Sequence, residues 1–156
     1  MSRVCASAAA TEAAGEEFAA SLRPGDIVLL EGPLGAGKTT FVKGVARGLG
    51  VAERITSPTF TVVRQHRCEG SGPIRTLHHA DIYRTESLGE VIDLALGELV
   101  EESAVALVEW GELGAAVFGR EVMVLEIRDH EDESRTLTVS GELAEHRATL
   151  SEWRAS

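Results

Sequence analysis

Lysine is nearly absent from this sequence: of 15 basic residues only Lys38 and Lys43 are lysines, the rest being arginines. Set against 25 acidic residues, they leave a formal net charge of −10. A free-standing nucleic-acid binder carries a basic footprint, and this chain as a whole has none. Any chemistry on RNA is therefore expected to draw its RNA contacts mainly from partners. Cysteine is equally scarce. Cys5 and Cys68 stand too far apart to form a metal-type pair; they leave a disulfide open, with a reduced cytosolic context as the expectation. No apolar run approaches the length that spans a bilayer. Met1 to Ala10 lacks a leucine-rich run and soon meets Glu12, which reads as a loose tail over residues 1–8 rather than a secretory signal.

What is present is an ordinary globular composition. The chain has 156 residues, 44% hydrophobic and 26% charged. That length suggests one domain over 1–156 and suffices for a buried core. The composition excludes long disorder.

Local patterns predict alternating strands and helices. Thr11 caps a helix to about Leu22, with Ala14, Phe18 and Leu22 on one side. Arg23-Pro24-Gly25-Asp26 breaks it. Ile27 to Leu30 is the short apolar run of a buried parallel strand. Gly32 to Gly37 is a loop, and Lys38 to Leu49 a helix with Phe41, Val42, Val45, Ala46 and Leu49 on its apolar stripe. Further strands are expected at Phe60–Gln65, at Ile74–Ala80 with Asp81 at its end, and at Ala104–Val108 with Glu109 after it. Glu86 to Glu102 reads as mostly helical, Glu121–Arg128 and Arg135–Ser140 as a hairpin, and residues 141–156 as a terminal helix. The fold class expected is α/β: a mainly parallel sheet flanked by helices, of the P-loop nucleotide-binding kind, with an antiparallel C-terminal hairpin.

The strongest chemical signal is Gly32-Pro33-Leu34-Gly35-Ala36-Gly37-Lys38-Thr39, a complete G-x-x-x-x-G-K-[ST] placed between a strand and a helix. Consecutive backbone N–H groups of such a loop can cradle phosphate. The helix that follows adds the positive end of its dipole. Lys38 is placed to reach the β- and γ-phosphates of ATP, and the Thr39 hydroxyl to ligate Mg²⁺. Glu109 ends a strand where open α/β sheets gather ligands, so its carboxylate either holds Mg²⁺, directly or through water, or is a solvated acid at a strand end. Asp81 ends another strand and either orients the attacking water, binds a magnesium-bound water or caps the Tyr83-Arg84 segment. Ser57-Pro58-Thr59 offers a hydroxyl that senses a γ-phosphate or is an ordinary proline turn. His78 and His79 are neighbours on a strand and face opposite sides, which favours core or surface roles over metal ligation. Trp110 either covers the nucleotide or packs in the core.

Together, Gly35-Ala36-Gly37-Lys38-Thr39-Thr40, Ser57-Pro58-Thr59-Phe60-Thr61, His79-Ala80-Asp81-Ile82-Tyr83-Arg84 and Leu107-Val108-Glu109-Trp110 resemble the TsaE (YjeE) family in order and spacing over nearly the whole chain. The resemblance implies a bacterial cytoplasmic ATPase required for N6-threonylcarbamoyladenosine beside the anticodon of tRNA. It implies a TsaB–TsaD heterodimer as partner, with TsaD making the transfer and a separate TsaC-type enzyme supplying threonylcarbamoyl-adenylate. Contact with tRNA is then indirect and no membrane is involved. By position, Gly35, Ala36, Gly37, Lys38, Thr39 and Thr40 bind the nucleotide beside Trp110, Thr39 and Glu109 hold Mg²⁺, and Asp81 serves hydrolysis with Lys38. Pro33 and Ala80 depart from the family pattern without removing a required group, and the resemblance fades after Arg128. The residues alone also admit a small-molecule kinase, although no arginine-rich lid segment is evident, or a nucleotide-dependent switch with negligible turnover.

Overall fold

Residues 1–56, 63–81, 97–98, 100, 102–110 and 121–155 are described in the computed structural model of the chain. The Ser57-Pro58-Thr59 segment, Tyr83-Arg84, and most of the helix expected from Glu86 lie outside them; residues 97–98 of that helix are helical.

The apolar run Ile27–Glu31 is strand β2, in the middle of a seven-stranded sheet. Four of its five residues are buried, as a strand with both faces covered requires. Around it lie β1 (Ser2–Cys5), β3 (Val63–Arg67), β4 (Thr76–Asp81), β5 (Ala104–Trp110), β6 (Met123–Asp129) and β7 (Arg135–Ser140). Their order is β1-β7-β6-β2-β5-β4-β3. β2 runs parallel to both β5 and β6, and β4 parallel to β5. The outer pairs β1–β7, β6–β7 and β3–β4 are antiparallel. The expected fold class is the one found: a parallel centre with antiparallel additions, here at both edges.

The helices are α1 (Ala8–Phe18), continued by a 3₁₀ turn at Ala19–Ser21, then α2 (Lys38–Gly48), α3 (Glu142–Glu145) and α4 (Thr149–Ala155). α1 and α2 lie against one face of the sheet, where Val28, Leu30, Leu107, Leu125 and Ile127 meet Phe18, Phe41 and Val45. Each such fully buried side chain contributes on the order of 1.5–3 kcal/mol. Phe18 and Phe41 touch edge to face at 5.4 Å, and Phe18 meets Trp153 of α4 at 5.8 Å. Close packing of α1 on α2 depends on Gly44, because a Cβ there would run into the Glu12 carbonyl oxygen. Ile27, Leu29, Ala106 and Val108 point to the opposite face, where Val100 and Val122 join them.

Four expectations need correction. Residues 1–8 are not a loose tail. Ser2–Cys5 pairs along β7 from Ser2↔Thr138 to Cys5↔Arg135, and Cys5 is buried. The alanine- and serine-rich sequence carries no strand signal of its own; the open hydrogen-bonding edge of β7 supplies the reason to extend. The cap of α1 is Ser7, whose hydroxyl accepts from the Ala10 amide at 3.1 Å, while Thr11 is buried one turn inside. The terminal helix is two short helices. Between them Arg147 turns inward, donating to Asp26 at 2.7 Å and to the Ser21 carbonyl at 2.8 Å. Glu109 also differs slightly in place, lying inside β5 rather than after it.

Candidate functional site

The carboxyl ends of β2, β5 and β4 lie side by side because the three strands are parallel, with Leu30 opposite Glu109 and Glu109 opposite Asp81. A ligand crevice at this end of an open α/β sheet follows from the topology. The chain leaves β2 through the loop Gly32–Gly37 and enters α2 at Lys38. Gly37 has φ +111, a left-handed value that side chains resist. It caps the helix without a side chain, so the first-turn amides are left for another acceptor. No acidic side chain occupies that turn. No residue of the turn itself therefore offsets the positive end of α2.

Lys38 folds back along the loop. Its Nζ donates to the carbonyl oxygens of Gly32 at 2.6 Å and Pro33 at 2.9 Å. Burial pushes the ammonium below its ordinary pKa, and the Glu109 and Asp81 charges work against that. On the outer side, Arg135 at the start of β7 donates from Nε to the Ala36 carbonyl at 3.2 Å. Ala36 is buried, Gly35 exposed and Thr40 half-buried.

Thr39 and Glu109 are in direct contact: the Thr39 hydroxyl donates to Glu109 Oε1 at 2.8 Å. His79 Nε2 meets the same oxygen, also at 2.8 Å. Glu109 is 6% exposed and His79 0%. Burial alone would raise the Glu109 carboxyl, but the hydrogen bond and charge of His79, the Thr39 hydroxyl and the Lys38 ammonium together hold it below the usual carboxylate range. Asp81 sits across from Glu109 on β4, on the same face.

The structure thus brings together Gly35, Ala36, Gly37, Lys38, Thr39, Thr40, Asp81 and Glu109 at one end of the sheet. Trp110 ends β5, and its side chain lies outside the described part. Two residues escaped the sequence reading. His79 is buried, as a core role implies, but its contact with Glu109 went unread; the signal available was its position two before Asp81, which puts both on one face of β4. Arg135 carried no signal, being 99 residues from the carbonyl it holds.

The donors fit a hard divalent cation. A hydroxyl and a carboxylate in contact, with a second carboxylate on the next strand, are the oxygen ligands Mg²⁺ takes. No group of three or more His, Cys, Asp or Glu able to hold a metal occurs among the described residues. Mg²⁺ is typically held by one or two carboxylates together with substrate phosphates, which matches so sparse a set. The loop amides and Lys38 suit the phosphates themselves.

A family model described as threonylcarbamoyl adenosine biosynthesis protein TsaE matches residues 5–137. The tRNA threonylcarbamoyladenosine biosynthesis protein TsaE of Bacillus subtilis is 41% identical over 128 residues, 82% of this chain and 77% of that protein. Its counterpart in Streptomyces coelicolor is 43% identical over 140 residues, 86% of this chain and 92% of its own. The crystal structure of Bacillus subtilis YdiB superimposes with a TM-score of 0.75 at 30% identity, covering 98% of this chain and 93% of that one.

Proposed function

The chain belongs to the TsaE family of tRNA threonylcarbamoyladenosine biosynthesis proteins, and on that premise we propose that it is the family's ATP-binding and ATP-hydrolysing subunit. In this reading it acts in the cytoplasm with a TsaB–TsaD heterodimer, which makes the contacts to tRNA. Among the described residues no helix is long and apolar enough to cross a membrane.

The observation that carries the reading is the contact of Thr39 with Glu109, 70 residues apart and 2.8 Å from each other. A glycine loop alone would serve as a strand-to-helix turn. A loop whose first-turn hydroxyl meets a strand-end carboxylate, with a lysine ammonium beside them, has the parts needed for a metal–polyphosphate. The loop amides and Lys38 bind and orient the β- and γ-phosphates. Thr39 and Glu109 hold Mg²⁺, which when bound neutralises charge on the phosphate oxygens. Asp81 accepts a hydrogen bond from the attacking water and aligns it with the γ-phosphorus. The water oxygen forms the new bond to phosphorus as the bond to the β–γ bridging oxygen breaks, leaving ADP, inorganic phosphate and a proton.

Among the described residues the arginine at the loop is Arg135, already engaged by the Ala36 and Glu133 carbonyls. Turnover by the isolated chain is therefore slow, and partners raise it; an arginine supplied from outside accelerates phosphoryl transfer by roughly 10³–10⁵. The test is steady-state ATP hydrolysis by the chain alone, with the TsaB–TsaD pair, and with the pair plus tRNA. Stimulation by the pair is expected. Activity indifferent to the pair, or tight tRNA binding by the isolated chain at physiological salt, contradicts the partner-driven reading.

A further inference from the structure

His79 is fully buried, and one of its ring nitrogens faces the carboxylate of Glu109. An ionised carboxylate only accepts hydrogen bonds, so Nε2 carries the proton at this contact. The other nitrogen, Nδ1, is buried without a hydrogen-bond partner among the described residues. An orphaned lone pair there costs about 1–3 kcal/mol, and an orphaned charged N–H costs more. Nε2–H is therefore the donor at this contact. An apolar side chain at this position would avoid the cost altogether. Holding β4 to β5 does not require the imidazole either, because the parallel ladder runs unbroken from Thr76↔Ala104 to Asp81↔Glu109. Packing and pairing thus leave the residue unexplained. Its contact does not: Glu109 Oε1 receives His79 Nε2 on one side and the Thr39 hydroxyl on the other, each at 2.8 Å.

We propose that His79 is a positioning residue for Glu109, its Nε2–H locking the carboxylate in the orientation that presents it, with Thr39, to Mg²⁺. The proposal rests on the Mg-ATP reading above. A glutamate side chain has three rotatable bonds, and a ligand free to turn loses entropy each time it coordinates. A fixed hydrogen bond to a residue that is itself immobilised by burial removes that loss in advance, and such outer partners of metal ligands typically govern affinity by 10–100-fold. His79 acts through Glu109 and touches neither the phosphates nor the metal. The two-residue spacing to Asp81 puts the positioning group and the proposed hydrolytic carboxylate on the same face of one strand.

Calorimetric titration of ATP at graded Mg²⁺ concentrations, on wild type, His79→Leu and His79→Gln, tests the assignment. Glutamine can place its amide N–H where Nε2 stands, whereas leucine fills the space without a donor. His79→Leu is expected to need about tenfold or more Mg²⁺ for half-maximal ATP binding, with ATP affinity in EDTA unchanged. His79→Gln is expected to restore the wild-type Mg²⁺ requirement. A His79→Leu protein with wild-type Mg²⁺ dependence overturns the proposal, as does a His79→Gln protein as impaired as the leucine variant. Should leucine prevent folding, long-range ¹H–¹⁵N spectra of the wild-type imidazole, free of metal and nucleotide, decide independently. A proton on Nε2 is expected; a ring protonated on Nδ1 alone overturns the contact as described. Wild-type ATP binding that ignores Mg²⁺ would instead bring down the Mg-ATP reading itself.

Discussion

Thr39 and Glu109 stand 70 residues apart in the chain and share a hydrogen bond of 2.8 Å in the fold. The first belongs to the opening turn of α2 and the second to β5, and they meet because β5 pairs directly with β2. Their contact joins the loop to the neighbouring strand, so side chains on both should act on one ligand.

Lys38 is the only cationic side chain within the loop motif, and burial already disfavours its charge. Losing a charge-assisted hydrogen bond costs roughly 1.5–3 kcal/mol. Lys38→Ala is therefore expected to lower ATP affinity by at least about tenfold while the protein stays folded. Calorimetry on the folded variant checks this, and unchanged affinity would remove Lys38 from the site.

Glu109 and Asp81 face each other across β4 and β5, yet their proposed tasks differ. Glu109→Ala should weaken the Mg²⁺ dependence of nucleotide binding. Asp81→Ala should bind ATP and hydrolyse it slowly, the signature of an interaction made mainly in the transition state. Parallel binding and single-turnover measurements on both variants separate the roles. The opposite pattern would exchange them.

Two carboxylates near the loop should respond to pH with opposite sign. Burial and the charge of Glu126, its cross-strand partner, raise the Glu31 carboxyl above its ordinary 4.5. Such a group adds stability that is full below the unfolded value and lost as pH rises through the folded one. Glu31→Gln should therefore melt higher than wild type at pH 7, with the difference vanishing below about pH 4.5. Glu109 is the reverse, held below its ordinary 4.5 against burial by His79, Thr39 and Lys38. It contributes stability above the unfolded value that is lost as pH falls through the folded one. Glu109→Gln should melt lower than wild type at pH 7 and converge with it in acid. Metal-free thermal melts from pH 7 to pH 3 read both trends.

Arg147 and Asp26 form an ion pair at 2.7 Å, each side chain 6% exposed. Asp26 also accepts from the Arg23 amide at 2.7 Å. Removing one partner of a buried pair typically costs 3–5 kcal/mol, whereas an apolar replacement of both is far milder. Arg147→Ala should lose about 3–5 kcal/mol of stability, and Arg147→Met with Asp26→Leu much less. Urea denaturation of the single and double variants measures the difference. Equal losses in both would show that the charge left behind is not the cause.

The loop, the helix after it and the strand before it were legible in the sequence because each depends on adjacent residues. A motif of eight consecutive positions carries its own spacing, and the apolar run of β2 and stripe of α2 carry their own periods. Glu109 and Asp81 could be singled out because strand ends in such a sheet gather on one edge, which requires only that the strands be recognised.

Sequence by itself determined the phosphate-loop motif, the α/β class and the carboxylates worth testing, since local spacing and hydrophobic period are written into neighbouring residues. Tertiary structure alone decided that Ser2–Cys5 completes the sheet edge, that Arg147 turns inward to Asp26, that Arg135 braces Ala36, and that His79 bonds Glu109. Each of these is a contact between segments far apart in the chain. Such contacts follow from strand order and register, where a shift of one residue turns a side chain to the opposite face. No local pattern in the chain encodes that order; it emerges when the sheet pairs and its two faces are covered.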